Sequence, residues 1–391
     1  MRKEKAMYIT FKRDDLKKIV DENFLNLFQN WEDASKTSIN TSLPPPRTYT
    51  RFVENPDPDY YTKKYNLTQM RTDILRNKLY VEQFATEDLT QHYESFHIPK
   101  RSGGLRRIDA PKPEMLTYLR NTKNLFEHKL HVLAHDAAFA YVRGRSTVHA
   151  LQRHQNNESR WFLKLDIKDF FPSCNLSFIL QQLSQIFPFN FLQQDSLINE
   201  ALTDLIKTGL LNGSLPQGSP LSPLLTNIIM VPVDYTIQRT FRNWNKQHFI
   251  YTRYADDLLI SSRYHFNWQE AQEQIEEIFK TLNTPFVINR EKTRYGSSAG
   301  RNWNLGLMLN KDNQITIGHK RKERMRATLF TFFQDLYNGR VWDKIDVQVL
   351  LGNLSYFKQI EPQYVDKLIT KYSTKFKTDF YQTAKQIIRD A

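Results

Sequence analysis

Three aspartates are the residues of this chain whose type and spacing could do chemistry. Asp256 and Asp257 are adjacent, between the apolar-rich runs Phe249-Ile250-Tyr251 and Leu258-Leu259-Ile260. That pattern predicts a strand, a tight turn carrying both carboxylates, and a return strand. Two carboxylates held side by side repel, and one tends to take a proton unless a cation intervenes. Divalent magnesium, which prefers hard oxygen ligands, removes that conflict. By itself the pair also reads as a solvated turn, since Asp is a common turn residue. A third acid separates the two readings. Asp166 closes the apolar-rich run Phe162-Leu163-Lys164-Leu165, so it too falls at a strand end. A strand-end carboxylate followed far downstream by a hairpin bearing two more is how a two-metal site is assembled. Such a site aligns an attacking hydroxyl and a triphosphate for in-line displacement.

Other segments surround these acids. Lys100-Arg101-Ser102-Gly103-Gly104-Leu105-Arg106-Arg107-Ile108 is a glycine tip between cations, returning as a strand. Arginines there suit a polyphosphate, although many basic hairpins are merely solvated. Gln217-Gly218 follows a proline and starts a loop leading into a helix over 221–229, where glycine permits close backbone approach. A second basic stretch, His319-Lys320-Arg321-Lys322-Glu323-Arg324-Met325-Arg326, opens a helix that continues through Leu329, Phe332, Phe333 and Leu336. Its apolar face implies packing, and its basic start suits a duplex backbone or a solvated face. Two more helices are expected around 347–357 and 363–372. Residues 14–31 have helical spacing with Leu16, Ile19, Val20, Phe24, Leu27 and Phe28 on one side, ended by Pro44-Pro45-Pro46.

The chain has 391 residues and a net charge of +13, from 55 Lys+Arg against 42 Asp+Glu. A chain of this length can bury a large core in two or three subdomains. The positive excess suits a polyanionic partner. Cys174 is the only cysteine, which excludes an intrachain disulfide and a cysteine-based zinc cluster. The ten histidines form no H-E-x-x-H pattern, so a zinc-hydrolase reading has no support. The charged start Met1-Arg2-Lys3-Glu4-Lys5 lacks the apolar core of a signal peptide. No apolar run approaches the ~20 residues of a membrane span, and a soluble cytoplasmic protein without membrane partners is expected.

Taken in order, these motifs resemble those of reverse transcriptases. Asp166 with Phe170-Phe171-Pro172-Ser173, then Leu215-Pro216-Gln217-Gly218-Ser219-Pro220-Leu221-Ser222-Pro223, then Tyr254-Ala255-Asp256-Asp257 are similar to the palm motifs. The basic glycine hairpin and Tyr141-Val142-Arg143-Gly144-Arg145-Ser146 resemble the fingers motifs. Glu291-Lys292-Thr293 and Leu305-Gly306-Leu307 resemble the last two palm motifs. The resemblance implies an α+β right-hand polymerase with fingers, a palm of antiparallel sheet plus helices, and a helical thumb. It implies an N-terminal helical extension over 1–70, fingers and palm over 71–310, and a thumb over 311–391.

The resemblance also implies roles. Asp166, Asp256 and Asp257, with Ile167, would hold two Mg²⁺ ions. Lys100 or Arg101, together with Arg106, Asp169, Phe170, Phe171, Gln217, Gly218 and Lys292, would meet a deoxynucleoside triphosphate. Arg106 would touch its phosphates, Gln217 its sugar and base, and Lys292 the leaving pyrophosphate. Phe171, five residues after Asp166, would exclude a ribose 2′-hydroxyl, with Phe170 as the alternative. Tyr254, Arg143 and Arg145, and in the thumb Lys320, Arg321, Lys322 and Arg324, would contact nucleic acid. The expected activity is RNA-directed DNA synthesis, with an RNA template, a DNA product and dNTPs as partners. The nearest resemblance is to compact bacterial enzymes of the retron, abortive-infection and defence-associated kinds. These imply a cognate non-coding RNA, a second defence protein as partner and a role against phage. A template-independent or protein-primed polymerase and an RNA-binding maturase are the alternative functions.

Overall fold

The computed structural model describes residues 66–81, 84, 88–100, 103–130, 134–244, 248–298 and 306–390. The expected helix over 14–31, Arg101 at the basic tip and Leu305 lie outside them. The fold is α+β. Contacts divide the chain into two units, one comprising residues up to 145, 164–260 and 267–294, the other 146–163, 261–266 and 295 onward.

In the first unit, β1 (Tyr93–Pro99) and β2 (Leu105–Pro111) form an antiparallel hairpin in which Tyr93 faces Pro111 and Pro99 faces Leu105. A four-stranded sheet, not confined to one unit, contains β3 (Trp161–Asp166), β4 (Ile250–Tyr254), β5 (Asp257–Ser262) and β6 (Arg294–Ser297), in the spatial order β4-β5-β3-β6. Because β3 and β5 are central neighbours, the end of one lies beside the start of the other. The Ile167 N–H donates to the Asp256 carbonyl at 2.9 Å, which sets the pair antiparallel at that end. Phe162, Leu163, Leu165 and Leu258 to Ile260 are all buried. The runs are nearly continuous in apolar residues because both faces of these strands are covered.

One detail differs from the expected hairpin. Asp257 does not sit in the turn but opens β5, and the turn is made by Ala255 and Asp256. Ala255 adopts a left-handed φ of 57°, a conformation alanine does not favour and therefore does not announce in sequence.

Helices support this sheet end. Ser222–Ile229 and Val231–Asn243 follow the Gln217-Gly218 loop. Asp195 caps Ser196–Thr208 by accepting from the Leu197 and Ile198 N–H groups, a cap worth about 1 kcal/mol. The Tyr118 hydroxyl reaches the Leu205 carbonyl at 2.9 Å inside the core.

The second unit carries the C-terminal helices His319–Tyr337, Lys344–Ile360, Pro362–Phe376 and Phe380–Asp390. Leu329, Phe332 and Phe333 of the expected apolar face are buried, joined by Met325, while Leu336 is only half-buried. Phe380–Asp390 was not anticipated. Lys377, at φ 50°, ends the preceding helix without the glycine or proline that usually marks a stop. Phe380 then returns to the core, 5.4 Å from the Phe332 ring.

Candidate active site

Asp166 is 8% exposed at the end of β3. Three backbone bonds hold its neighbourhood. Ile167 N–H donates to Asp256 O, Lys168 N–H donates to Val287 O at 2.8 Å, and Asn289 N–H donates to Asp166 O at 2.8 Å. Asp166 is thus clamped between the Asp256 turn on one side and residues 287–289 on the other. Ile167 is buried and bridges Ile288, so its side chain is core and only its main chain could face a ligand.

Two lysines occupy the carboxylates. Lys164 Nζ lies 2.7 Å from Asp257 Oδ2, and Lys292 Nζ lies 3.0 and 3.1 Å from the two oxygens of Asp166. Burial, then the Asp257 charge, pushes the Asp256 carboxyl up to about 6. Asp257 is also raised by burial, against the lowering effect of Lys164. Each feels Asp166 as a further like charge. Among the described residues no three His, Cys, Asp or Glu side chains close into a metal-binding group. The backbone brings the three acids to one sheet end, and two of them are paired with ammonium groups. A set of hard carboxylate oxygens already neutralised by cations, with one carboxyl left in excess, fits a divalent metal in chemistry and charge.

Lys164 was not singled out from the sequence, yet the signal was present. It interrupts the apolar run two residues before Asp166, and alternate strand residues share a face. Tyr141 was another. It is 55% exposed with φ 60°, lies edge-on to Phe171 at 6.5 Å, and its hydroxyl is raised by burial and then by the charges of Asp256 and Tyr254, while Arg106 lowers it. Asp256, half-buried Tyr254, exposed Arg106 and Tyr141 therefore share one neighbourhood.

The paired phenylalanines divide. Phe170 is 3% exposed and packs 5.3 Å from Phe286. Phe171 is only half-buried and turns toward Tyr141. Asp169 is exposed at a left-handed φ of 46°. Gln217 joins the loop to the basic hairpin, its carbonyl accepting from the Asp109 N–H at 2.7 Å. At Gly218 a Cβ would come within 2.6 Å of the Asp109 carbonyl, so only glycine permits this approach. Lys100 is exposed near the hairpin tip.

The remaining basic residues separate by partner. Arg143 is exposed, whereas Arg145 Nη1 donates to the carbonyls of His135 and Ala138 at 2.7 Å each and so braces its own loop. In the second unit Lys320 and Arg324 are exposed. Lys322 pairs with Glu361 and lies over the Tyr364 ring. Arg321 abuts Gly306, where a Cβ would meet its guanidinium at 2.1 Å.

An α+β fold that gathers three carboxylates at one sheet end beside a basic hairpin is that of a nucleotidyltransferase. Residues 98–326 match the family described as reverse transcriptase (RNA-dependent DNA polymerase). The chain belongs to this reverse transcriptase family, and its activity is RNA-directed DNA synthesis. It is 29% identical over 291 residues to the retron Ec83 reverse transcriptase of Escherichia coli, covering 72% of this chain and 87% of that one. It is 30% identical over 300 residues to the retron Ec73 reverse transcriptase of Escherichia coli, covering 73% and 88%. It is also similar to the retron Mx65 reverse transcriptase of Myxococcus xanthus, at 29% identity, covering 71% and 64%. No helix among the described residues is long and apolar enough to cross a membrane.

Proposed function

We propose that Asp166, Asp256 and Asp257 are the catalytic carboxylates of this reverse transcriptase and that they act with Mg²⁺. The observation that carries the reading is their convergence at one end of the sheet, with Asp256 raised and the other two held by lysines. When bound, two magnesium ions supply the Lewis acidity that activates a primer 3′-hydroxyl and steadies the leaving pyrophosphate. The chain's residues do the rest. Asp166 and Asp257, now paired with Lys292 and Lys164, would hold the metal together with Asp256, with the Ile167 main chain alongside. Lys292, whose side chain is 56% exposed, is free to turn to the pyrophosphate. Arg106, with Lys100 or Arg101 as the assisting cation, meets the triphosphate, and Gln217-Gly218 lies along its sugar and base. Asp169 borders the same site.

Phe171 selects deoxynucleotides by occupying the space a 2′-hydroxyl would need, a built-in clash. Phe170 supports it from the core. Tyr254 and Arg143 face nucleic acid, and Lys320 and Arg324 grip phosphates. Arg145, Arg321 and Lys322 shape their own surroundings while adding positive charge. In this reading residues 71–310 are fingers and palm, residues 311–391 the thumb, and residues 1–70 the expected N-terminal helical extension, of which 1–65 lie outside the described residues. The template is a cognate non-coding RNA, and the enzyme serves anti-phage defence, which rests on the similarity to retron enzymes. The test is primer extension on an RNA template with each Asp→Asn variant. Activity retained in Asp256→Asn sinks the assignment. Nucleic acid co-purified with the wild type and with a double Asp256→Ala, Asp257→Ala variant is sequenced in parallel. A defined DNA present only with the wild type identifies the template. Identical nucleic acid in both favours the RNA-binding, maturase-like reading instead.

A further inference from the structure

A buried polar hub lies directly behind the aspartate turn. Arg253 is 1% exposed and Asp234 is fully buried. The guanidinium Nε donates to the two Asp234 oxygens at 2.8 and 3.1 Å, and Nη2 donates to Asp234 Oδ2 at 2.8 Å. Nη2 also reaches Asn227 Oδ1 at 3.1 Å, and Nη1 donates to the Ala255 carbonyl at 3.2 Å. The Tyr251 hydroxyl donates to Asp234 Oδ1 at 2.7 Å. Asn227 passes the connection on, its Nδ2 donating to the Ala140 carbonyl at 2.8 Å. The Arg253 backbone adds two bonds, to Ala137 O at 2.6 Å and from Phe139 N–H at 2.9 Å. One side chain therefore joins two helices, the segment leading to Tyr141, and the turn that leads to Asp256.

Stability alone does not account for such a hub, because a buried ion pair is often no better than an apolar replacement. A guanidinium differs from an ammonium in offering a fixed fork of five donors, and here the fork reaches four different acceptors. Ala255, whose carbonyl it holds, is in a left-handed conformation (φ 57°) that a residue with a Cβ disfavours. Its peptide runs straight into Asp256.

We propose that Arg253 is a positioning residue for polymerisation. Paired with Asp234, it fixes the Ala255 peptide and, through Asn227, the Ala140–Tyr141 segment. Asp256 and Asp257 then keep one spacing from the Tyr141 and Phe171 face that would receive the nucleotide. The proposal rests on the reading of Asp256 and Asp257 as catalytic. A displacement of about 1 Å at a reacting centre costs on the order of 100-fold in rate.

The experiment compares Arg253→Lys, which keeps the charge and loses the fork, with the wild type in thermal melting, primer extension and calorimetric Mg²⁺ titration without substrate. The expected result is a folded protein with kcat reduced about 100-fold, an unchanged KM for primer–template, and weaker Mg²⁺ binding. Wild-type kcat and wild-type Mg²⁺ binding in folded Arg253→Lys, at any melting temperature, would overturn the proposal. If that variant does not fold, Asn227→Ser decides. A raised KM for dNTP supports the tether to Ala140, and unchanged kcat and KM reject it. Asp256→Asn is assayed beside them. An active Asp256→Asn removes the catalytic reading itself, whereas inactive Asp256→Asn with fully active Arg253→Lys removes only the positioning role.

Discussion

Removing one charge from the aspartate cluster should stabilise the metal-free protein while ending its activity. Burial and the neighbouring Asp257 raise the Asp256 carboxyl from 3.8 to about 6. Below 3.8 the carboxyl is protonated in both folded and unfolded chains and contributes no pH dependence. Between 3.8 and about 6 the unfolded chain ionises it freely and the folded one resists. Stability is therefore lost as pH rises through that window, and the loss is complete above it. Each pKa unit corresponds to about 1.4 kcal/mol, so the penalty at neutral pH is about 3 kcal/mol at most, and about 2 kcal/mol once solvent reaching the half-buried group is allowed for. Asn has the shape of Asp and no charge. Asp256→Asn in EDTA at pH 8 should then be about 2 kcal/mol more stable than the wild type, with the advantage vanishing toward pH 4. Chemical denaturation of both proteins across that range measures it. Saturating Mg²⁺ should raise the wild type more than the variant, since the ion binds the folded carboxylates. A wild type and variant with parallel pH profiles in EDTA would refute the electrostatic account of the site.

Other predictions concern separate parts of the molecule. Phe171→Ala should raise the efficiency of ribonucleotide relative to deoxynucleotide incorporation, and Phe170→Ala should instead lower stability by about 3–5 kcal/mol through a core cavity. An unchanged nucleotide ratio in Phe171→Ala would leave that ring as packing only. Lys320→Gln with Arg324→Gln should flatten the log–log salt dependence of RNA or hybrid binding by up to about one unit per lost phosphate contact. Single-nucleotide addition at saturating template should survive, and an unchanged slope would leave these two residues as solvated surface. His154 is fully buried against Ser261, and burial pushes its imidazole down to about 3 from 6.5. Its unfolded form takes up a proton that the folded form refuses, so stability should fall by a few kcal/mol as pH drops from 6.5 toward 3. His154→Gln should lack that acid slope in denaturation curves.

The sequence by itself determined the local pieces of this protein. Apolar runs flanking acids announced the strands that carry Asp166 and Asp257 and the turn that carries Asp256, because strand burial and turn chemistry are written in adjacent residues. The basic stripe of His319–Tyr337 and its buried face were legible for the same reason, as was the order of motifs that marks a reverse transcriptase. Only the tertiary structure decided how those pieces meet. The order β4-β5-β3-β6 sets the end of β3 against the Asp256 turn, and no local pattern encodes which strands become neighbours. Lys164 and Lys292 found their carboxylates 93 and 126 residues away. Phe170 and Phe171 were interchangeable as letters until Phe286 and Tyr141 took opposite sides of the pair. Arg253 read as one more strand residue until Asp234, Asn227 and the Ala255 carbonyl closed around it. Such contacts depend on long-range packing, which gathers partners by shape and charge rather than by their spacing along the chain.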